Sequence, residues 1–522
     1  MANVAMYVNL KYLRGYTMKK SIIFLSALFL FNIAYSASRP NILLIMVDDM
    51  GWSDIGCYGG EIKTPNLDSL AANGVRFRAF YNNAKCGASR VSLLMGRSNI
   101  GASQRSYSNP TLGQVLKQVG YHTYASGKNH SSVNLFDRGF DHYYGLRDGM
   151  CNHFNPGLQR EGEPAPGSKG GRSRMWCDDE KTFDTKDPAY QHYFPKGFYT
   201  TDAFTDKGLE YLDEWEKADT GRPFFLYLAY TAPHDPLHAW PEDIAKYKGV
   251  YDSGYQAIRQ TRYQKQQEIG LIDPKRFPLS PATHTDWSKM SDAQQAGQAK
   301  VMETHAAMID CIDQRIGDVL EKLKALGVYE NTLILFCSDN GAEKIGSGKA
   351  PEKIGTLDTF YAIGKDWSNV ANTPHRMHKL SAYNGGSRTP MIVHWPKGIK
   401  NPGRFTDKSA HLYNVMPTLL ELTGAEYPEA FNGVSGREIL GDSFADVIYD
   451  KPIKHQDTVY MNRGGQAFII DDGYKLVTED GENWSLYNLN KEETEITDLS
   501  QKEPERFNAL LAKYNAWKDS IK

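Results

Sequence analysis

Two pairs of oxygen-bearing side chains, Asp48-Asp49 and Asp339-Asn340, stand far apart in the chain, each directly after a run of apolar residues. An all-oxygen set of this kind suits a hard cation such as Ca²⁺ or Mg²⁺, whereas zinc would draw on His and Cys. Either pair alone reads most simply as a turn or a helix cap. Three carboxylates gathered at one edge would repel one another unless a cation neutralised them. Arg90, Lys128, His130, His234 and Lys379 add basic groups, most of them at the ends of other apolar runs. Basic groups converging on a divalent cation serve an anionic substrate, and the chemistry they imply is transfer of a phosphoryl or sulfuryl group. Cys86 opens the segment Cys-Gly-Ala-Ser-Arg-Val-Ser-Leu-Leu-Met-Gly-Arg. Val91, Leu94 and Met95 have the spacing of a buried helical stripe, and Cys86, Arg90 and Arg97 fall on another face. At the first turn of that helix, Cys86 would sit where unpaired N–H groups attract an anion. A lone cysteine is more often a small buried hydrophobe, so the rest of the chain must decide its role.

The elements that position these residues share one grammar. Asn41 to Val47 is a continuous apolar run ending in Asp48-Asp49, and Tyr121 to Ser126 ends in Gly127-Lys128-Asn129-His130. Phe224 to Tyr230 leads to Pro233-His234, and Leu333 to Cys337 leads to Ser338-Asp339-Asn340-Gly341. Such runs fit strands buried on both faces of a largely parallel sheet. Ligands of open α/β sheets bind beyond the carboxyl ends of the strands, so four runs ending in chemistry imply one shared site. Helical patterns lie between them at 64–74, 202–217 and 304–326. Met391 to Trp395 reads as a further buried strand, and a helix is expected near His411 to Gly424. The fold class is therefore α/β: a large, mostly parallel sheet flanked by helices. From about Lys451 the style changes to short strands at 466–470, 474–478 and 485–489 with a hairpin-like turn at Asp471-Asp472-Gly473, then a helix at 503–521. That predicts a small C-terminal antiparallel sheet plus helix. The domains expected are residues 1–37 as a leader, 38–450 as the catalytic domain and 451–522 as a C-terminal subdomain. Residues 155–186 and 247–291 are polar insertions, read as loops or excursions over the sheet edge.

Length and charge narrow the classes. At 522 residues the chain exceeds one small core, and a net charge of −2 with mixed signs shows no footprint of a nucleic-acid binder. Lys19-Lys20 followed by a short apolar run and small residues at Ala34, Ser36 and Ala37 reads as a secretory signal peptide starting at Met18. The run is too short to favour a membrane span, no lipid-anchor cysteine stands at the cleavage site, and export to periplasm or medium is expected. Of six cysteines, Cys151 with Cys177 is the one pairing that invites a disulfide.

The segment Cys86-Gly87-Ala88-Ser89-Arg90 through Gly96-Arg97 resembles the signature of type I, formylglycine-dependent sulfatases of the alkaline phosphatase superfamily. Asp48-Asp49, Gly127-Lys128 with His130, Pro233-His234, Ser338-Asp339-Asn340-Gly341, Lys379, and Gly385-Gly386-Ser387-Arg388-Thr389-Pro390 match in family order. The similarity spans about residues 39 to 522. The resemblance implies an alkaline phosphatase-like fold and an exported sulfatase acting on a sulfated carbohydrate. It implies that Cys86 is oxidised to formylglycine by a maturation enzyme, and that residue 86 joins Asp48, Asp49, Asp339 and Asn340 around Ca²⁺. A hydroxyl of the hydrated aldehyde would attack sulfur, with His234 protonating the leaving alcohol and Lys379 beside the same oxygen. His130 would take the proton of the second hydroxyl to expel sulfate, and Arg90 and Lys128 would hold the hydrate and the sulfate oxygens.

Three positions depart from the family pattern. Ala88 stands where many members have proline, which is expected to suit a radical-type anaerobic maturase. Asn384 replaces a glutamate common before Gly-Gly, and Asn129 replaces a frequent aromatic. Two other functions compete: hydrolysis of phosphate or phosphonate esters with the same nucleophile, and catalytically silent binding of sulfated glycans.

Overall fold

The computed structural model describes residues 39–98, 109–167, 174–346, 353–431, 434–435, 439–453 and 458–521. The leader read at 1–37 lies outside the described residues. Asn41–Lys522 forms one compact unit.

Its centre is a ten-stranded sheet, named here in chain order. The strands are β1 (Asn41–Val47), β2 (Val75–Phe77), β3 (His122–Gly127), β4 (His142–Leu146), β5 (Met175–Asp178), β6 (Lys181–Asp184), β7 (Phe224–Ala229), β8 (Thr332–Ser338), β9 (Met391–His394) and β10 (Arg404–Thr406). They lie in the order β10-β2-β9-β8-β1-β7-β3-β4-β5-β6. The middle, β8-β1-β7-β3-β4, is parallel, and antiparallel pairs at β2-β9, β9-β8, β4-β5 and β5-β6 make the whole sheet mixed.

Strand β1 shows why its sequence has no polar alternation. Leu43, Ile45 and Val47 enter the core on one face, and Ile42, Leu44 and Met46 enter the core on the other. A strand covered by helices on both sides has no solvent face to reserve for polar residues. The long helix Asp292–Ala325 covers the first face, supplying Met302, Ala306, Ile309, Ile312 and Ile316. It starts twelve residues before its expected position: Ser291 caps Gln294 N–H and Gln294 caps Ser291 in return, so the polar first turns are stabilised by the capping box. The Cys86 helix (Cys86–Met95) packs on the opposite face through Val91, Leu93, Leu94 and Met95.

The two insertions are more ordered than their composition suggests. Residues 175–184 form the β5–β6 hairpin that extends the sheet edge, and 254–268 is a helix whose Arg262 is buried against Asp54 and Glu61 at 2.7 Å each. The C-terminal antiparallel sheet has four strands, β11 (Val459–Arg463), β12 (Gln466–Asp471), β13 (Tyr474–Thr478) and β14 (Trp484–Asn488), followed by the helix Pro504–Ser520. Asp472-Gly473 turns β12 into β13 as the sequence suggests. All six cysteines are unpaired and buried, so the Cys151–Cys177 disulfide does not form. Cys177 lies within β5 facing the second core cluster, where a thiol packs as a small apolar group.

Candidate active site

The register of the central strands sets the site. Val47 pairs with Ser338, Met46 with Ala229, and Ala229 with Gly127, so β8, β1, β7 and β3 end at one level. The residues just beyond those ends are Asp339-Asn340, Asp48-Asp49, Tyr230 and Lys128. Asp49 turns the chain with φ 66°, a left-handed conformation that aspartate tolerates better than most residues. His234 follows on the loop after β7. Cys86 arrives from the side, at the N-terminus of its helix, through an extended Lys85.

Ligand atoms of Asp48, Asp49, Cys86 and His234 all lie within 4.8 Å of one another. A second group, Asp49, Asp235 and Glu343, meets the same criterion. Every one of these residues is buried. Lys128 Nζ donates to Asp48 Oδ2, and Arg90 Nε donates to Asp339 Oδ2 at 2.8 Å. Arg90 also donates to the carbonyls of Lys128 (2.9 Å) and Tyr230 (3.3 Å). One guanidinium therefore ties three strand ends together. Lys379 Nζ lies 2.8 Å from Asp49 Oδ1 and 3.1 Å from Glu343 Oε2.

His234 Nδ1 donates to the Asp235 carbonyl at 2.8 Å, which leaves Nε2 facing Asp49 Oδ2 at 3.5 Å. Behind it, His153 Nε2 donates to the His234 carbonyl at 3.0 Å, and Thr200 Oγ1 donates to His153 Nδ1 at 2.6 Å. His130 also has a positive φ, 51°, and its ring closes over Gly149, where a Cβ would come within 2.5 Å of Cε1. A side chain at 149 would push that ring aside. Arg97 leaves the helix face predicted for it. Gly96 takes the left-handed conformation at φ 65° and ends the helix, so Arg97 lies beyond it.

Charge in this space is unbalanced. Burial raises the Asp49 and Asp339 carboxyls above their ordinary range. Burial also works against Asp48, but Lys128, His234, Arg90 and Lys379 outweigh it and hold Asp48 well below that range. Burial opposes protonation of His234, yet Asp49, with Asp235 and Asp48, lifts it to about 10. Lys379 is held cationic by Asp49, Cys86 and Glu343 against the same desolvation. Asp48, Asp49, Asp235, Asp339 and Glu343 thus face Arg90, Lys128, Lys379 and His234, five acidic groups against four basic ones.

Asp48 Oδ1 and Asn340 Oδ1, like Asp235 Oδ1, are buried without a hydrogen bond. The Asn340 amide is oriented by its Nδ2 group, which donates to Asp49 Oδ1 at 2.6 Å and the Gly341 carbonyl at 2.9 Å. Unpartnered carboxylate and amide oxygens among clustered acidic side chains fit a hard divalent cation.

Sequence reasoning missed Asp235, Glu343 and His153. Asp235 and Glu343 stand on loops that were already singled out, one residue after His234 and three after Asn340. Nothing local marks His153, whose contact with His234 is purely tertiary.

A family model described as Sulfatase matches residues 40–425. The chain belongs to the sulfatase family. A second model, the C-terminal region of N-sulphoglucosamine sulphohydrolase, matches residues 375–514. Among sulfatases, the arylsulfatase of Klebsiella aerogenes is 31% identical, covering 75% of this chain and 88% of its own. The solved structure of Ps i-CgsB with k-i-k-neocarrahexaose superposes with a TM-score of 0.66 at 24% identity, over 93% of this chain and 94% of that one. A second structure, bound to its substrate D-glucosamine-2-N,6-O-disulfate, gives 0.61 at 19% identity, over 92% of this chain. This chain is a sulfatase with the alkaline phosphatase-like sulfatase fold.

Proposed function

We propose that this sulfatase removes sulfate from a sulfated carbohydrate, using formylglycine made from Cys86 and one Ca²⁺. The observation that carries the reading is the meeting of Cys86 with Asp48, Asp49 and His234 within one ligand shell, with Lys379 on the same carboxylate. Asp48, Asp49, Asp339, Asn340 and residue 86 would hold the cation. When bound, it would polarise sulfate oxygens and lower the pKa of a coordinated hydroxyl. The side chains then have distinct tasks. His234 Nε2 faces the site and carries a proton for the leaving alcohol. Lys379 holds a positive charge beside it. Arg90 and Lys128 keep Asp339 and Asp48 in place, and they are assigned the aldehyde hydrate and the sulfate oxygens. His130 is assigned the proton of the second hydroxyl of the hydrated aldehyde.

A carbohydrate substrate is supported by the sugars bound in two of the structural neighbours and by the polar insertions. Export is supported by the sequence of residues 18–37. Among the described residues no helix is long and apolar enough to cross a membrane. The Ala88 departure favours a radical-type maturase as the partner that converts Cys86.

The test is mass spectrometry of the peptide containing residue 86 from a host with such a maturase, together with turnover of an aryl sulfate, an aryl phosphate and a panel of sulfated oligosaccharides. Aldehyde at residue 86 and release of sulfate from an oligosaccharide are expected. Preference for the phosphate ester, or a thiol retained at residue 86 in active enzyme, overturns the reading.

A further inference from the structure

Glu343 is a buried carboxylate to which neither the sequence pattern nor the reaction scheme above gives a task. It is 4% exposed, and Lys379 is 5% exposed. Its two oxygens are used differently. Oε1 accepts the backbone N–H groups of Lys344 at 2.7 Å and Ile345 at 3.1 Å. Oε2 is left pointing at Lys379 Nζ, 3.1 Å away. The backbone reinforces the pairing, since Lys379 N donates to the Ala342 carbonyl at 3.0 Å. The catalytic-lysine loop is therefore docked, by main chain and side chain, on the loop that follows β8.

Asp49, the other partner of Lys379, is crowded. It already accepts from Asn340 Nδ2 at 2.6 Å and from Lys379, and it faces His234 at 3.5 Å. A cation seated on Asp49 would claim those oxygens and repel the ammonium. Glu343 is not among the residues proposed to hold that cation, and it would then be the remaining counter-charge of the ammonium.

We propose that Glu343 is the positioning residue for Lys379: it holds the ammonium beside His234, where the leaving oxygen departs, once the cation occupies Asp49. The inference rests on the sulfatase reading above. As the bond between sulfur and the leaving oxygen breaks, its electron pair stays on that oxygen, which takes the proton from His234 Nε2. An ammonium fixed at the same place stabilises the charge that develops before the proton arrives. The benefit is greatest for basic leaving groups such as sugar hydroxyls and small for nitrophenolate.

Two measurements test this on the matured, calcium-loaded enzyme. The first compares kcat/KM of wild type, Glu343→Gln and Glu343→Asp across sulfate esters of graded leaving-group basicity. Glu343→Gln is expected to lose on the order of tenfold more on a sugar or alkyl sulfate than on nitrophenyl sulfate, with Glu343→Asp recovering part of the difference. An equal loss across the series, or none, overturns the proposal. The second is a crystal structure of the calcium-bound wild type. Lys379 Nζ is expected to remain in hydrogen-bond contact with Glu343. Withdrawal of Lys379 from Glu343, or a second calcium ion held by Asp49, Asp235 and Glu343, overturns it. If wild type hydrolyses no sulfate ester, the proposed function fails, while the crystal structure still decides the place of Lys379.

Discussion

Arg90 Nε donates to Asp339 Oδ2 at 2.8 Å, and both side chains are completely buried. The same guanidinium reaches the carbonyls beyond β3 and β7, so the pair is the knot joining the strand ends. Removing one partner of such a pair strands a charge in the interior, at a cost of about 3–5 kcal/mol. Arg90→Met is expected to lower the urea-unfolding free energy by that amount. Arg90→Lys should rescue little of it, because a point ammonium cannot reach three acceptors spread across a planar fork. A loss below about 1 kcal/mol in Arg90→Met would mean the knot is not what holds the strand ends.

Cys86 is 2% exposed at the head of a fully buried helix, so shortening it to alanine removes one atom and little packing. Cys86→Ala is expected to abolish sulfate-ester turnover while leaving the melting temperature within about 3 °C of wild type. Activity near the wild-type rate would refute residue 86 as the nucleophile's precursor.

His234 presents Nε2 to the site because Nδ1 is committed to the Asp235 carbonyl. His234→Ala should lose on the order of 10²–10⁴ in kcat on a sugar sulfate and far less on nitrophenyl sulfate. Equal losses on the two substrates would argue against its role as the acid.

Asp48 Oδ1 and Asn340 Oδ1 are buried without hydrogen-bond partners. A chelated sample is expected to take up one Ca²⁺ per chain by calorimetry, and Asp48→Asn to take up none. Calcium at a hundred times its dissociation constant should raise stability by about 2.7 kcal/mol. Unaltered thermal unfolding with and without calcium would count against a resident ion.

Two buried neutral histidines behind the site contribute to the acid dependence of stability. Burial pushes His153 down to about 4 and His238 down to about 3. His238 Nε2 donates to the Thr359 carbonyl at 3.0 Å, and the two rings lie 6.1 Å apart. In the unfolded chain both rings titrate near their ordinary value of about 6.5. Below that pH the unfolded state binds protons that the folded state refuses. The stability these rings contribute is therefore complete above about pH 6.5 and falls away toward pH 4 and 3, with a slope of about 1.4 kcal/mol per pH unit for each group. His238→Gln is expected to flatten the acid limb of urea stability between about pH 6 and 4. An unchanged slope would show that His238 is not one of the groups responsible.

Much of this molecule was legible in one dimension. The run at 42–47 is uniformly apolar because both faces of β1 are covered, and the same physics marks β7, β8 and β9. The charged residues at the ends of those runs announced a shared site, since a parallel sheet brings carboxyl ends to one edge. Cys86 and Arg90 share a helix face by local geometry alone. Long-range order decided the remainder. The start of the helix at Asp292, the hairpin at 175–184 and the helix at 254–268 lie in polar sequence, where capping and tertiary burial outweigh pattern.

The Lys379 loop shows the same division. At position 384, Asn lacks the charge common in the family, yet its Oδ1 accepts from buried Lys475 at 2.8 Å, and its backbone N–H donates to Glu495 at 2.8 Å. Glu479 accepts from Ser381 Oγ and Ala382 N at 2.7 and 2.8 Å. The order of that loop comes from β13 and the segment after β14, nearly a hundred residues on. By itself the sequence determined which groups could do the chemistry and which strand ends carry them, because local pattern and backbone periodicity are written residue by residue. Only the tertiary structure decided their partners, from Arg90 on three strand ends to Glu343 on Lys379. A buried charge takes whichever counter-charge the fold places beside it.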